Sequence, residues 1–123
     1  MTRQSILVVD DDEDVRNMLC VILAAEGYAT VGAADGIEAL RRIRAGAPPA
    51  LVVVDLMMPR MDGADLSRTM QRDPQLAAIP VAVLSGRSRL EGDSLAAVSA
   101  RLVKPIELDH LLAVVHRFTA PMH

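Results

Sequence analysis

Leu51-Val52-Val53-Val54-Asp55-Leu56-Met57-Met58-Pro59 is the stretch that decides the fold. Its opening run of aliphatic, mostly β-branched residues has no polar alternation. It therefore reads as a strand buried on both faces, the kind found inside a parallel sheet. The run ends on a carboxylate, Asp55, and open α/β sheets carry their ligand sites beyond the C-terminal ends of their strands. Ile6-Leu7-Val8-Val9 does the same earlier and ends in Asp10 and Asp11. Two buried strands thus deliver three carboxylates to one rim, a pattern that points to a metal site.

Outward from these runs, strand and helix patterns alternate along the chain. Strands are expected at 6–9, 28–33, 50–54, 79–84 and 101–103. The first helix carries Val15, Met18, Leu19, Ile22 and Leu23 at helical spacing, and Gly27 suits its C-terminal cap. A second helix, 36–44, presents Ile37, Leu40 and Ile43, and stops at Gly46 and Pro48-Pro49. A third, 64–72, closes at Asp73-Pro74, because proline disfavours the α conformation in the residue before it. A weaker, polar helical pattern covers 90–98, and the last helix presents Leu108, Leu111, Leu112, Val115 and Phe118. Such alternation implies right-handed βαβ crossovers and a parallel sheet covered by helices on both sides.

A length of 123 residues suits one domain, expected over 1–123 with no output domain after the last helix. The net charge of −3 offers no basic footprint for nucleic acid, and with one Tyr, one Phe and no Trp the stacking aromatics of a single-strand binder are absent. Cys20 is the only cysteine, which excludes a disulfide framework and a cysteine zinc site; it reads as a packed helix residue. No stretch has the length of a signal peptide core or a membrane span, so a cytoplasmic location away from membrane is expected. His110, His116 and His123 show no metal spacing.

Four features fall at strand ends: Asp10-Asp11, Asp55, Ser85 and Lys104. In a parallel sheet these ends share one edge, so the side chains can converge. Three carboxylates in one cleft repel one another, and a hard divalent cation relieves the repulsion; all-oxygen ligation favours Mg²⁺. Such an ion invites a phosphoryl group, towards which Lys104 would add charge and Ser85 a hydrogen bond. Asp55 is then the natural nucleophile, because a carboxylate can accept a phosphoryl group as an acyl phosphate. Asp12, Glu13 and Asp14 suit a helix N-terminus, one of them as its cap. A calcium loop fails, since Val15 and Val21 stand where it needs Gly and Glu. Asp62-Gly63 reads as a turn and helix start, and Met57, Met58 and Met61 as loop packing.

Val8-Val9-Asp10-Asp11, Val54-Asp55-Leu56-Met57-Met58-Pro59, Asp62-Gly63, Leu84-Ser85-Gly86 and Val103-Lys104-Pro105 resemble, in order, the signatures of response-regulator receiver domains. The resemblance covers essentially the whole chain. It implies a flavodoxin-like (βα)5 three-layer sandwich with a five-stranded parallel sheet of order 2-1-3-4-5. It further implies Asp55 as phosphoacceptor, Asp11 as a direct Mg²⁺ ligand, Asp10 acting mainly through water, and the Met57 backbone carbonyl as another ligand. Mn²⁺ could replace Mg²⁺ as the ion. Ser85 takes the switch Ser/Thr position and Lys104 the family's lysine, before a cis Pro105. The implied phosphodonor is a sensor histidine kinase or a histidine phosphotransfer domain, and the implied output is contact with a downstream protein. Nucleic acid and membrane are not expected partners, and turnover of an external substrate is not expected.

The sequence departs from the family where a Tyr or Phe usually stands three residues before the lysine; here that residue is Arg101. Ser99-Ala100 replaces the usual Gly-Ala, and the span from Ser85 to Lys104 is short. The phosphorylation chemistry is therefore expected to be intact, and the surface around the fourth helix and fifth strand atypical. A haloacid-dehalogenase-type phosphohydrolase is the main rival, but it needs a second Asp where Met57 stands, and usually a cap domain. A non-phosphorylated receiver-like interaction module sits poorly with retention of the site positions. An FMN-binding flavodoxin sits poorly with the lack of a phosphate loop after the first strand.

Overall fold

The computed structural model describes residues 4–56, 58, 61, 63–86 and 98–119. Five strands, β1 (Ser5–Val9), β2 (Ala29–Ala33), β3 (Leu51–Asp55), β4 (Val81–Ser85) and β5 (Ala100–Val103), form one sheet in the order β2-β1-β3-β4-β5. Every neighbouring pair is parallel. The helices among the described residues are α1 (Glu13–Ala25), α2 (Gly36–Ala45), α3 (Gly63–Arg72) and α4 (Leu108–Phe118).

Period-two alternation divides each central strand between two cores. Leu7, Val9, Val52, Val54, Val81 and Val83 pack with Leu40 and Ile43 of α2 and Leu66 and Met70 of α3. Ile6, Val8, Leu51, Val53, Ala82 and Leu84 pack on the other side with Leu19 and Leu23 of α1 and Leu111, Val114 and Val115 of α4. Burial on both faces explains why these strands read as unbroken apolar runs. The three-layer sandwich and its strand order match the fold expected from the sequence.

Local chemistry sets the boundaries. Asp12 caps α1, its carboxylate accepting from the Asp14 and Val15 N–H groups at 2.9 and 3.3 Å. Gly27 follows the helix with φ 99°, the left-handed conformation that suits glycine. Asp35 caps α2 by accepting from the Glu38 N–H at 2.9 Å. Tyr28 precedes β2 rather than opening it; it is buried, and its hydroxyl lies 3.0 Å from Thr119 Oγ1. Ile79 belongs to the turn before β4, its N–H bonded to the Leu76 carbonyl. The pattern expected over 90–98 falls outside the described residues except Val98, which packs against the α2 and α3 core.

Three residues expected on buried helix faces are half-exposed instead: Met18 at 49%, Ile37 at 43% and Leu108 at 51%. Ile37 and Leu108 sit in first turns, and helices that follow parallel strands begin at the strands' C-terminal edge, where little sheet lies beneath them. Met18 flanks the stripe formed by Val15, Leu19, Ile22 and Leu23. In urea unfolding, Leu19→Ala is expected to lose about 2–5 kcal/mol. Met18→Ala, its neighbour, should stay within about 0.5 kcal/mol of the parent.

Candidate functional site

The strand order reverses direction at β1, whose neighbours are β2 and β3, and this switch point is where open α/β sheets hold ligands. Asp10 leaves β1 here and Asp55 ends β3. The ladder aligns Val9 with Val54, so the carboxylates emerge side by side. One oxygen from each of Asp10, Asp11 and Asp55 can be chosen so that all lie within 4.8 Å of one another. Asp10 and Asp55 are buried and Asp11 is exposed.

Lys104 reaches the same point from beyond β5. The Leu56 N–H bonds to the Leu84 carbonyl at 2.9 Å, and the Lys104 N–H to the Ser85 carbonyl at 2.9 Å. These bonds carry the ladder one step past both strands, with β4 between them. Lys104 Nζ donates to Asp55 Oδ2 at 3.0 Å and lies 3.8 Å from Asp10 Oδ2. The Lys104–Pro105 peptide is cis, as the resemblance implied. Ser85, at the end of β4, is buried, and its hydroxyl has no hydrogen-bond partner among the described residues. Met57, expected to offer its carbonyl, lies outside the described residues, as does Asp62.

Asp10 is held on several sides. Its N–H donates to the Ala33 carbonyl at 3.1 Å, and its Oδ1 accepts from the Asp12 N–H at 2.9 Å. Its backbone carbonyl accepts from Arg16 Nη1 at 2.7 Å. Oδ2 is buried and has no hydrogen-bond partner among the described residues. Burial is the main cause that raises the Asp10 pKa above its ordinary 3.8. The Asp12 N–H and Lys104 oppose that rise, while Asp55 and Asp11 add to it. For Lys104 burial acts downward, but the hydrogen bond and charge of Asp55, with Asp10 and Asp11, outweigh it and raise the pKa. A buried carboxylate oxygen left over in an all-oxygen cluster fits a hard divalent cation.

Sequence reading missed two contributions. Gly63 reads in the sequence as a turn residue, yet its role is close approach. A Cβ there would stand 2.9 Å from the Asp55 carbonyl oxygen and 3.1 Å from Leu56 Cα. Only glycine lets α3 start against the end of β3. Arg16 carries no signal in the sequence, since no spacing rule links a helix arginine to a carbonyl six residues earlier.

The whole arrangement has known counterparts. The family described as "Response regulator receiver domain" matches residues 6–116. The chain belongs to this family. Receiver domains are the phospho-accepting modules of two-component signalling. Among its relatives is the DNA-binding response regulator MtrA of Mycobacterium tuberculosis (strain ATCC 25618 / H37Rv). It is 40% identical over 86 residues, which are 70% of this chain and 36% of MtrA. This chain thus spans about a third of that relative's length. Vibrio cholerae chemotaxis protein CheY4 superposes with a TM-score of 0.87 at 27% identity, covering 96% of this chain and 100% of CheY4. The receiver domain of sensor histidine kinase PA1611 from Pseudomonas aeruginosa PAO1 superposes with a TM-score of 0.84 at 26% identity, covering 95% and 98%. That domain carries a magnesium ion in its active-site cleft.

Two outcomes test the electrostatics and packing described above. Asp10 has a raised folded pKa, so its contribution to stability is full below the ordinary value and is lost as pH rises through the folded value. Asp10→Asn, which keeps the acceptor for the Asp12 N–H, is therefore expected to raise the urea midpoint of the metal-free protein near pH 7. The gain should shrink towards about pH 3. Gly63→Ala must displace backbone at Asp55 and is expected to cost about 1–3 kcal/mol in the same measurement.

Proposed function

We propose that Asp55 accepts a phosphoryl group from a phosphohistidine, carried by a sensor histidine kinase or a histidine phosphotransfer domain, with Mg²⁺ as cofactor. Mn²⁺ can take the same place. The observation that carries this reading is the Lys104 ammonium, which donates to Asp55 Oδ2 at 3.0 Å beside the Asp10 and Asp11 carboxylates. A cation facing a nucleophilic carboxylate, on the rim of an acidic cluster, suits transfer of a strongly anionic group.

In the transfer, a bond forms from an Asp55 carboxylate oxygen to phosphorus as the nitrogen–phosphorus bond of the donor breaks. The electron pair of the broken bond returns to the imidazole, and the product is an acyl phosphate. The transition state is loose, so most of the catalysis is alignment and charge neutralisation. Asp11, Asp55 and, on the family pattern, the Met57 carbonyl would hold Mg²⁺, with Asp10 acting mainly through water, and the ion would supply part of that neutralisation. Lys104 moves its hydrogen bond from Asp55 to a phosphoryl oxygen. Ser85, with a buried hydroxyl not committed elsewhere among the described residues, donates to the new phosphate. That bond biases the adjoining surface between two populations.

The output is contact with a downstream protein. The name of MtrA describes a DNA-binding protein, whereas the receiver domain described here has a net charge of −3 and offers no basic footprint for nucleic acid. The proposed partners are therefore proteins, and neither nucleic acid nor membrane is among them. The cytoplasmic location expected from the sequence goes with this reading. Arg101 is exposed on the edge strand β5, opposite Val83 of β4. Its guanidinium does not fill an interior cavity as an aromatic switch would, so transmission rests on Ser85. The chain assists its own phosphorylation and is not a turnover enzyme. With Met57 in place of the second Asp, it lacks the acid–base residue of a haloacid-dehalogenase phosphohydrolase.

Intact-mass measurement after incubation with Mg²⁺ and a small acyl-phosphate donor tests the proposal. One phosphoryl adduct is expected, absent from Asp55→Asn and formed roughly 100-fold more slowly in Lys104→Ala. Steady release of inorganic phosphate from phosphate monoesters, with no adduct, would overturn the reading in favour of a hydrolase.

A further inference from the structure

Arg16 sits in the first half of α1 and lies outside the acidic cluster, yet it holds the backbone from which that cluster projects. Its Nη1 donates to the Asp10 carbonyl at 2.7 Å. To get there its stem crosses β2 at Gly32. A Cβ built on Gly32 would lie 3.1 Å from Arg16 Cδ, 3.3 Å from Cγ and 3.4 Å from Nε. Gly32 has no positive φ to explain a glycine. The arginine stem passes so close that a side chain there would press on it and push it aside by a few tenths of an ångström. Of the polar groups of Asp10, the N–H and Oδ1 are secured by Ala33 and Asp12, and the carbonyl by Arg16. Oδ2 is the group left facing the cleft, 3.8 Å from Lys104 Nζ.

We propose that Arg16, seated in the space left by Gly32, is a positioning residue for the divalent cation. By fixing the peptide between Asp10 and Asp11, it holds the two carboxylates at the separation that binding requires. This rests on the Mg²⁺ reading of the site. Two effects of the guanidinium oppose each other. Its positive charge near the acidic run acts against a cation, so by Coulomb's law alone its removal would tighten Mg²⁺ binding. Its hydrogen bond orders the turn, and loss of that order weakens binding, as loss of outer partners at metal sites generally does. The second effect wins here, because the bond is short, charge-assisted and made to the backbone of the acidic pair itself.

Calorimetric titration of Mg²⁺ into the whole chain, paired with amide hydrogen exchange at Asp12 in the metal-free protein, tests this. Arg16→Ala and Arg16→Met are expected to weaken Mg²⁺ binding about tenfold and to speed Asp12 exchange. Arg16→Met keeps much of the stem and loses the donor, so the pair separates packing from hydrogen bonding. Arg16→Lys, which keeps a charged donor, should return affinity to within about threefold of the parent. Gly32→Ala should weaken binding less, and its effect should vanish on top of Arg16→Ala, since both act through one contact. Unchanged or tighter Mg²⁺ binding in folded Arg16→Ala overturns the proposal. So does unweakened binding in Gly32→Ala, which keeps the test open if Arg16→Ala does not fold. A parent chain that binds no Mg²⁺ overturns the cation reading, and the proposal with it. That failure is told apart from a failure of positioning alone by the Asp12 exchange, which reads the turn without metal.

Discussion

Carboxylates brought together repel one another, and the C-terminal edge of this sheet is organised around that repulsion. Two unit charges 4.8 Å apart, the limit within which the Asp10, Asp11 and Asp55 oxygens gather, interact by about 3 kcal/mol at the effective dielectric of a protein surface. Burial compounds the cost at Asp10, whose side chain is withdrawn from water and whose pKa rises accordingly. Lys104 answers part of it, through its bond to Asp55 and its proximity to Asp10. An edge that keeps this strain, with a buried carboxylate oxygen that no hydrogen bond reaches among the described residues, suits further positive charge and the anionic group such charge attracts.

The fold sustains that strain because it is rigid where the charges are attached. β1, β3 and β4 are buried on both faces, and Asp10 just after β1, Asp55 at the end of β3 and Ser85 at the end of β4 take positions set by the hydrogen-bond ladder. Asp55 and Lys104, 49 residues apart, are registered through the strand between them. Glycine then allows the close packing that finishes the site. Gly63 lets α3 begin against the end of β3, and Gly32 leaves the space through which Arg16 reaches the Asp10 carbonyl.

Much of this was legible in the chain. Runs such as Ile6-Leu7-Val8-Val9 and Leu51-Val52-Val53-Val54 are diagnostic because only burial on both faces removes polar alternation from a strand. Their terminal carboxylates, with Ser85 and Lys104, fall on one edge once the strands are read as parallel. Boundaries were less legible. Tyr28 and Ile79 have the apolar character of strand residues but are buried in turns beside strands. Helix faces were readable to within one position, so Met18, Ile37 and Leu108 read as inward-facing although they lie at the margins of their stripes.

The sequence by itself determined the alternation of elements, the buried strands and the identity of the charged groups at their ends. These follow from local periodicity and from the cost of burying polar side chains, both of which act residue by residue. Tertiary structure decided which oxygen meets which cation: the 3.0 Å bond from Lys104 to Asp55, the 3.8 Å approach of Lys104 to Asp10 Oδ2, and the path of Arg16 over Gly32. Such contacts join residues whose separation along the chain obeys no period. They exist only once the sheet has set its register and the helices have closed on its two faces.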